Sequence, residues 1–159
     1  MELQHVFEVE HGNKLDLNKM EVCKPACDAI AFIGRSGGNN GIVAFVKPLS
    51  DIVPFPAGLI TVALGGAALS SFVQARPFYT AQNIDVLQPR APMTLDEKLF
   101  YCLCIEANRF RYSTFGREAN RTLKHLTVPK PQSVPNWVRG SAQLAVQQLS
   151  VDLAGVIQD

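Results

Sequence analysis

Residues 30–45 read IAFIGRSGGNNGIVAF. An apolar run, Ala29 to Ile33, meets a glycine- and asparagine-rich loop, Gly34 to Gly41, and then a β-branched and aromatic run, Ile42 to Val46. Both runs have the length and composition of strands, and the pair is compatible with a hairpin that has an oversized tip. The loop invites comparison with phosphate-binding loops. It is not a Walker A loop, because no Gly-Lys-Ser/Thr follows. It is not a dinucleotide fingerprint either, because the glycine spacing is wrong and a strand, not a helix, comes next. Two readings stay open: a flexible hairpin tip, or a loop that offers Arg35, Asn39 and Asn40 to a partner.

The same punctuation continues on both sides. Leu3 to Glu10 reads as a short strand or a helix–strand junction, followed by the turn signal Gly12-Asn13. Asp16 to Ala26 is polar and irregular. Asp51 to Gly58, with Pro54 and Pro56, is a loop. Leu59 to Ala63 and Ser71 to Ala75 are strands around the turn Gly65-Gly66. Asp85 to Leu87 is a short strand closed by Pro89 and Pro92. The Phe78-Tyr79 pair reads as core packing rather than base stacking. Asp85 reads as a turn or strand-end residue rather than a catalytic one.

The second half is helical. Thr94 and Glu97 have capping-box spacing ahead of an apolar run. Leu95, Leu99, Leu103 and Ala107 form a stripe with Phe100 and Cys104 beside it, and this stripe is expected to bury one face against the sheet. A helix ending near Tyr112 places Arg109 and Arg111 in its last turn. Trp137 to Ile157 reads as a moderately amphipathic helix carrying Leu144, Leu149 and Leu153. The expected class is mixed α/β of the α+β kind: a strand-rich N-terminal part, a long packing helix and a C-terminal helix. Residues 1–134 form the expected domain, with 135–159 as a helix packed on it or used for assembly.

At 159 residues the chain is long enough to bury one core. Hydrophobic content of 47% against 18% charged residues argues against disorder. The net charge of +1 hides an asymmetry. Residues 1–30 hold six acids and three lysines, a net −3, whereas residues 109–139 hold seven bases and one acid, a net +6. That distribution allows a basic face on a nearly neutral protein. The start MELQHVFEVE is acidic and has no apolar core of a secretory signal. Gly58 to Phe72 is too short and too glycine-rich to span a membrane. The expectation is therefore a cytoplasmic protein with reduced cysteines.

Chemistry-bearing patterns are sparse. Cys23-x3-Cys27 with Cys102-x-Cys104 is not a standard zinc spacing. On a helix, positions i and i+2 point about 200° apart. No metal or other cofactor is expected. His5, His11 and His125 have no ligand spacing, and there is no Gly-x-Ser-x-Gly elbow. No residue is assigned a catalytic role. The strongest local signal is Arg109 to Pro129, RFRYSTFGREANRTLKHLTVP, where five cations and three aromatics face the single acid Glu118. A phosphate-rich partner needs such a cluster, although a solvated helix end also favours arginine.

Taken in order, these segments resemble a target-recognition domain of a restriction–modification specificity subunit, of the Type I and related Type IIB/IIG kind. FEVEHGNKL (7–15) resembles F-x-x-x-x-G-x-x-L, and IAFIGRSGGNNGIVAF resembles I-x-[YF]-I-G-x-[ST]-x-x-N-N-G-I. LITVALGG (59–66) resembles I-T-V-x-x-x-G. FVQARPFYTAQNIDVL (72–87) resembles F-x-Q-x-x-P-F-[YW]-x-x-x-[DN]-[VI]-x-x-L. FGREANRTLKHLTVPKP (115–131) resembles [YF]-G-R-x-x-[NR]-x-x-x-[ML]-x-x-x-x-[IV]-x-[LV]-P, and Pro135-Asn136-Trp137 resembles the Pro-[DN]-Trp that introduces a terminal helix. The chain departs from the family in carrying one such domain, where members often have two in tandem with long spacer helices or a fused methyltransferase.

The resemblance implies sequence-specific recognition of double-stranded DNA, with catalysis left to methyltransferase and endonuclease subunits, and with self-association as a further option. Under it, Lys14, Arg76, Arg121 and Lys124 are the candidates for phosphate contacts. Arg35, Asn39, Asn40 and Arg117 are the candidates for base-edge contacts. Two alternatives are a protein-interaction module of the same fold and a small cysteine-dependent enzyme.

Overall fold

Alternation of side chains along the strands builds the core of this computed structural model, which describes residues 1–112, 119 and 121–157. Among them are β1 (Phe7–His11), β2 (Val22–Cys23), β3 (Ile30–Ile33), β4 (Ile42–Val46), β5 (Ile60–Ala63), β6 (Ser71–Val73), β7 (Phe78–Thr80) and β8 (Ile84–Pro89), then α1 (Leu95–Glu106) and α2 (Ser141–Ile157). They form two four-stranded sheets, ordered β1-β8-β5-β6 and β2-β4-β3-β7. The first is antiparallel throughout. In the second, β3 pairs antiparallel with β4 and parallel with β7.

Successive residues on a strand face opposite ways, and the three cores follow from that. Ile60 and Val62 of β5 and Leu87 of β8 face α1, joining Phe7, Tyr101 and Ile105. Ala63, Ile84 and Val86 face the other way and meet Ala31, Ile33 and Phe78 of the second sheet. The outer face of that sheet carries Ile30, Phe32, Val46 and Tyr79, covered by Leu15, Leu17, Leu49 and Ile52. Strand β3 is thus buried on both faces, which is why its sequence IAFI is continuously apolar rather than alternating.

The hairpin of β3 and β4 forms as expected, with a register shift between Phe32 and Ile33 where the long tip begins. The strands β2 and β7 are not apparent in the sequence pattern. Each is only two or three residues long, and β7 gains its ladder from β3, more than forty positions earlier.

Helix α1 starts as read: Thr94 Oγ1 accepts from Glu97 N at 3.3 Å, and Glu97 returns a carboxylate to Thr94 N at 3.0 Å. Thr94→Ala removes that cap and is expected to lower stability by about 1 kcal/mol, measured by thermal melting.

The buried face of α1 is not the one the leucine stripe suggests. Tyr101, Cys102 and Ile105 are buried, while Leu95, Leu99 and Leu103 are 55%, 41% and 65% exposed. Polar ties set the helix phase. Lys98 Nζ donates to Gly58 O at 2.7 Å, and Ser71 N donates to Glu106 at 3.1 Å. Tyr101 packs edge-on to Phe7 with centroids 5.2 Å apart and donates its hydroxyl to Pro129 O. One aromatic buries more apolar area than a leucine, and its i, i+4 partner Ile105 follows. The helix also ends earlier than expected, at Glu106, with a separate 3₁₀ turn at Arg109–Tyr112. Asp96 accepts from Gly140 N and Ala142 N at 2.8 and 2.9 Å, so the start of α1 caps the start of α2.

Candidate functional site

Five connecting segments converge on one rim of the sheets: residues 12–15, 34–41, 64–70 and 81–83, and residues 119 and 121–125. Backbone hydrogen bonds knit them together. Gly12 N donates to Ile84 O, Leu15 N to Thr80 O and Ala81 N to Ile33 O. Ala67 N donates to Arg35 O, Leu64 N to Asn83 O and Ala119 N to Leu64 O. Gly12 lies so close to Thr80 Oγ1 and Ile84 O that a Cβ has no room there.

The rim also gathers unusual backbone. Lys14, Asn39, Asn40, Leu69 and Asn83 all have φ between 50° and 61°, and Gly41 and Gly66 are positive as well. For Lys14 and Leu69, which lack the local bonding of asparagine, the left-handed region costs on the order of 1 kcal/mol each. Conformations of that kind persist where the surroundings hold them, and they cluster at functional surfaces.

Four of the expected site residues lie on this rim and are exposed: Lys14, Arg35, Arg121 and Lys124. Arg35 edges a shallow groove of about 390 Å³ shared with Asp16, Phe32, Val43 and Gln82. Arg121 and Lys124 edge a second groove of about 440 Å³, floored by Val9, His11, Asp85 and Leu123. Lys14 leaves β1 just after His11, and its charge acts on Asp85. In this second groove His11 Nδ1 lies 2.6 Å from Asp85 Oδ1. Their Cα atoms are direct partners across β1 and β8. Burial pushes the Asp85 carboxyl above its ordinary range, while the hydrogen bond from His11 and the charges of His11 and Lys14 pull it back.

The two asparagines also make hydrogen bonds within the chain. Asn40 Nδ2 donates to Val73 O at 3.1 Å and to Gln74 Oε1 at 3.3 Å, while Gln74 returns a bond to Asn40 O. Asn39 Nδ2 donates to Ile42 O at 2.9 Å. Both amide nitrogens help to shape the tip, which sequence could have signalled only through the tolerance of asparagine for positive φ.

Arg76 is separated from the rim. Strands β3 and β7 run parallel, so Arg76, which precedes β7, lies at the opposite end from Arg35, which follows β3. Its guanidinium donates to Ala26 O at 3.2 Å and sits 5.5 Å from the centroid of the Phe45 ring. Arg109 is likewise engaged internally, with Ala68 O and Ser70 Oγ. Arg117 and its neighbours Phe115, Gly116, Glu118 and Asn120 lie outside the described residues.

His11 and Asp85 were not singled out from sequence as a pair. They lie 74 positions apart, and only the β1–β8 register brings them together. Among the described residues, no group of three His, Cys, Asp or Glu side chains is placed to hold a metal ion. Burial pushes the Cys102 thiol up to about 12, the wrong direction for a thiolate nucleophile. No described helix is long and apolar enough to cross a membrane.

A hydrogen-bonded loop face carrying separated cations is compatible with a recognition surface. The family match agrees: residues 1–136 match the family described as Type I restriction modification DNA specificity domain, and the chain belongs to it. Solved structures agree on the fold. The S subunit of a Type I restriction–modification system from M. genitalium superposes with a TM-score of 0.57 at 14% identity, covering 99% of this chain and 40% of its own. The HsdS subunit from Thermoanaerobacter tengcongensis gives 0.62 at 11% identity, covering 99% and 38%. A structure concerned with complex assembly and conformational transition of the type I R-M system gives 0.64 at 14% identity, covering 98% and 39%. The chain therefore spans well under half the length of these structures. No curated protein matches it.

Proposed function

We propose that the chain recognises part of a double-stranded DNA target as the specificity component of a restriction–modification system, working in the cytoplasm and leaving methylation and cleavage to partner subunits. One observation carries the reading: Lys14, Arg35, Arg121 and Lys124 project from loops that are hydrogen-bonded to one another. Cations on a preorganised rim meet phosphates at low entropic cost, and an arginine among them can read a guanine edge. In this assignment Lys14, Arg121 and Lys124 contact phosphate and Arg35 reads a base. Asn39, Asn40 and Arg76 support the fold instead. Arg117 keeps its place as a second base-edge candidate.

Selection of bound sequences from a random duplex pool at two salt concentrations tests this directly. The expected result is an enriched motif whose recovery survives the higher salt. Arg35→Ala is expected to cost about 1–3 kcal/mol of binding and to relax preference at one base position. A loss that is equal for every sequence marks Arg35 as a phosphate contact only.

A second reading has its own support. The exposed ridge of Leu95, Leu99 and Leu103 is a surface suited to protein contact. On that reading the chain is an interaction module, and the pool yields no enriched motif at either salt.

A further inference from the structure

We infer that His11 is a proton-coupled phosphate contact, held in place by Asp85, in the groove between β1 and the 3₁₀ turn Leu123–His125. The inference deepens the DNA-recognition reading and rests on it.

Register places the pair. His11 and Asp85 are opposite one another across β1 and β8, where facing side chains share one side of the sheet. Val9 and His11, two apart on β1, both line the groove, so that side is the groove side. The Asp85 side chain is 3% exposed, whereas that of His11 is 63% exposed. A buried carboxylate therefore grips the inner nitrogen of a ring whose outer edge is in solvent.

The chemistry follows from which nitrogen is occupied. With Nδ1–H donating to Asp85 at 2.6 Å, the neutral ring presents Nε2 as a lone pair. A lone pair repels a phosphate oxygen. The imidazolium donates from both nitrogens, one to Asp85 and one to the phosphate, and sits between two negative partners. Binding of a phosphate thus takes up one proton from solvent wherever the free ring is neutral. Asp85 is a positioning residue: it fixes the ring orientation and balances the added charge.

The charged neighbours are Asp85 from β8, Lys14 from the turn after β1, and Arg121, Lys124 and His125 from residues 121–125. The cations attract the same phosphate. His125 is already bonded to Glu2 at 3.2 Å, so it needs its own control. Burial raises the Asp85 carboxyl, so Asp85 loses its charge earlier on acidification than an ordinary carboxylate does.

The test measures affinity of the full chain for a short mixed-sequence duplex at about pH 8 and about pH 6. Wild type is expected to bind several-fold tighter at the lower pH, bounded at about a hundredfold for one proton over two units. His11→Gln and Asp85→Asn are expected to bind more weakly and to flatten the pH profile, while His125→Gln keeps it. His11→Gln retains a hydrogen-bond donor for Asp85, and thermal melting of each variant checks that it is folded. In wild type, long-range ¹H–¹⁵N spectra near neutral pH are expected to show the His11 ring gaining a second N–H on addition of DNA. A wild-type profile that is flat with pH, or a His11→Gln profile as steep as wild type, overturns the inference while leaving DNA recognition standing. Absence of duplex binding at either pH overturns both.

Discussion

Raising salt from about 50 to about 200 mM weakens duplex binding by roughly fortyfold, if the three phosphate-contacting rim cations engage the duplex. Each phosphate contact contributes roughly −0.9 to the slope of log affinity against log salt, so Lys14, Arg121 and Lys124 together give about −2.7, with Arg35 left to its base edge. Ions released from the duplex drive that slope, and contacts within the protein do not. Arg76 and Arg109 are bonded to carbonyl oxygens of the chain itself and are left out of the sum. The double variant Arg121→Ala with Lys124→Ala is expected to flatten the slope by about two units, and Arg76→Ala to leave it unchanged. A wild-type slope shallower than about −1 removes the electrostatic basis of the rim. A steep slope that survives the double change moves the contacts elsewhere on the molecule.

Much of the fold was legible because its signals are local. The hairpin around Gly34–Gly41 follows from two apolar runs and a glycine-rich tip, and the start of α1 from Thr94 and Glu97 three positions apart. What failed was non-local. Leu95, Leu99 and Leu103 have helical spacing, yet the phase of α1 is set by Tyr101 against Phe7 and by Lys98 and Glu106 reaching Gly58 and Ser71. Residues on other strands decide those contacts, and a periodicity within one helix does not contain them.

The site shows the same division. Arg35 is legible because it stands in a loop whose composition already marks it. Arg76 is likewise a charge between two strands, yet the parallel pairing of β3 and β7 carries it to the other end of the sheet. His11 and Asp85 become a pair only through the antiparallel register of the first and last strands. Charge identity was visible in the chain; which charges share a face depended on topology.

Tyr79 gives the largest effect on stability. It is fully buried in the outer core, beside Phe32 and Val46, and its hydroxyl accepts from Leu49 N at 3.0 Å and donates to Ile52 O at 2.8 Å. Tyr79→Ala removes the ring and both bonds, and is expected to cost about 3–5 kcal/mol. Tyr79→Phe keeps the ring but strands one donor and one acceptor of the segment that covers this sheet, at about 1–3 kcal/mol. Chemical denaturation of the three proteins measures both. The ordering separates packing from polar ties: a Phe variant as unstable as the Ala variant assigns the stability to the two hydrogen bonds. An aromatic beside a recognition rim also invites a base-stacking role, and the same variants decide that. A ring with no exposed surface has no face to offer a nucleotide. Tyr79→Phe is therefore expected to bind duplex DNA like wild type at temperatures where both are folded. An Ala variant that melts like wild type and loses DNA binding places Tyr79 at the interface and overturns its assignment to the core.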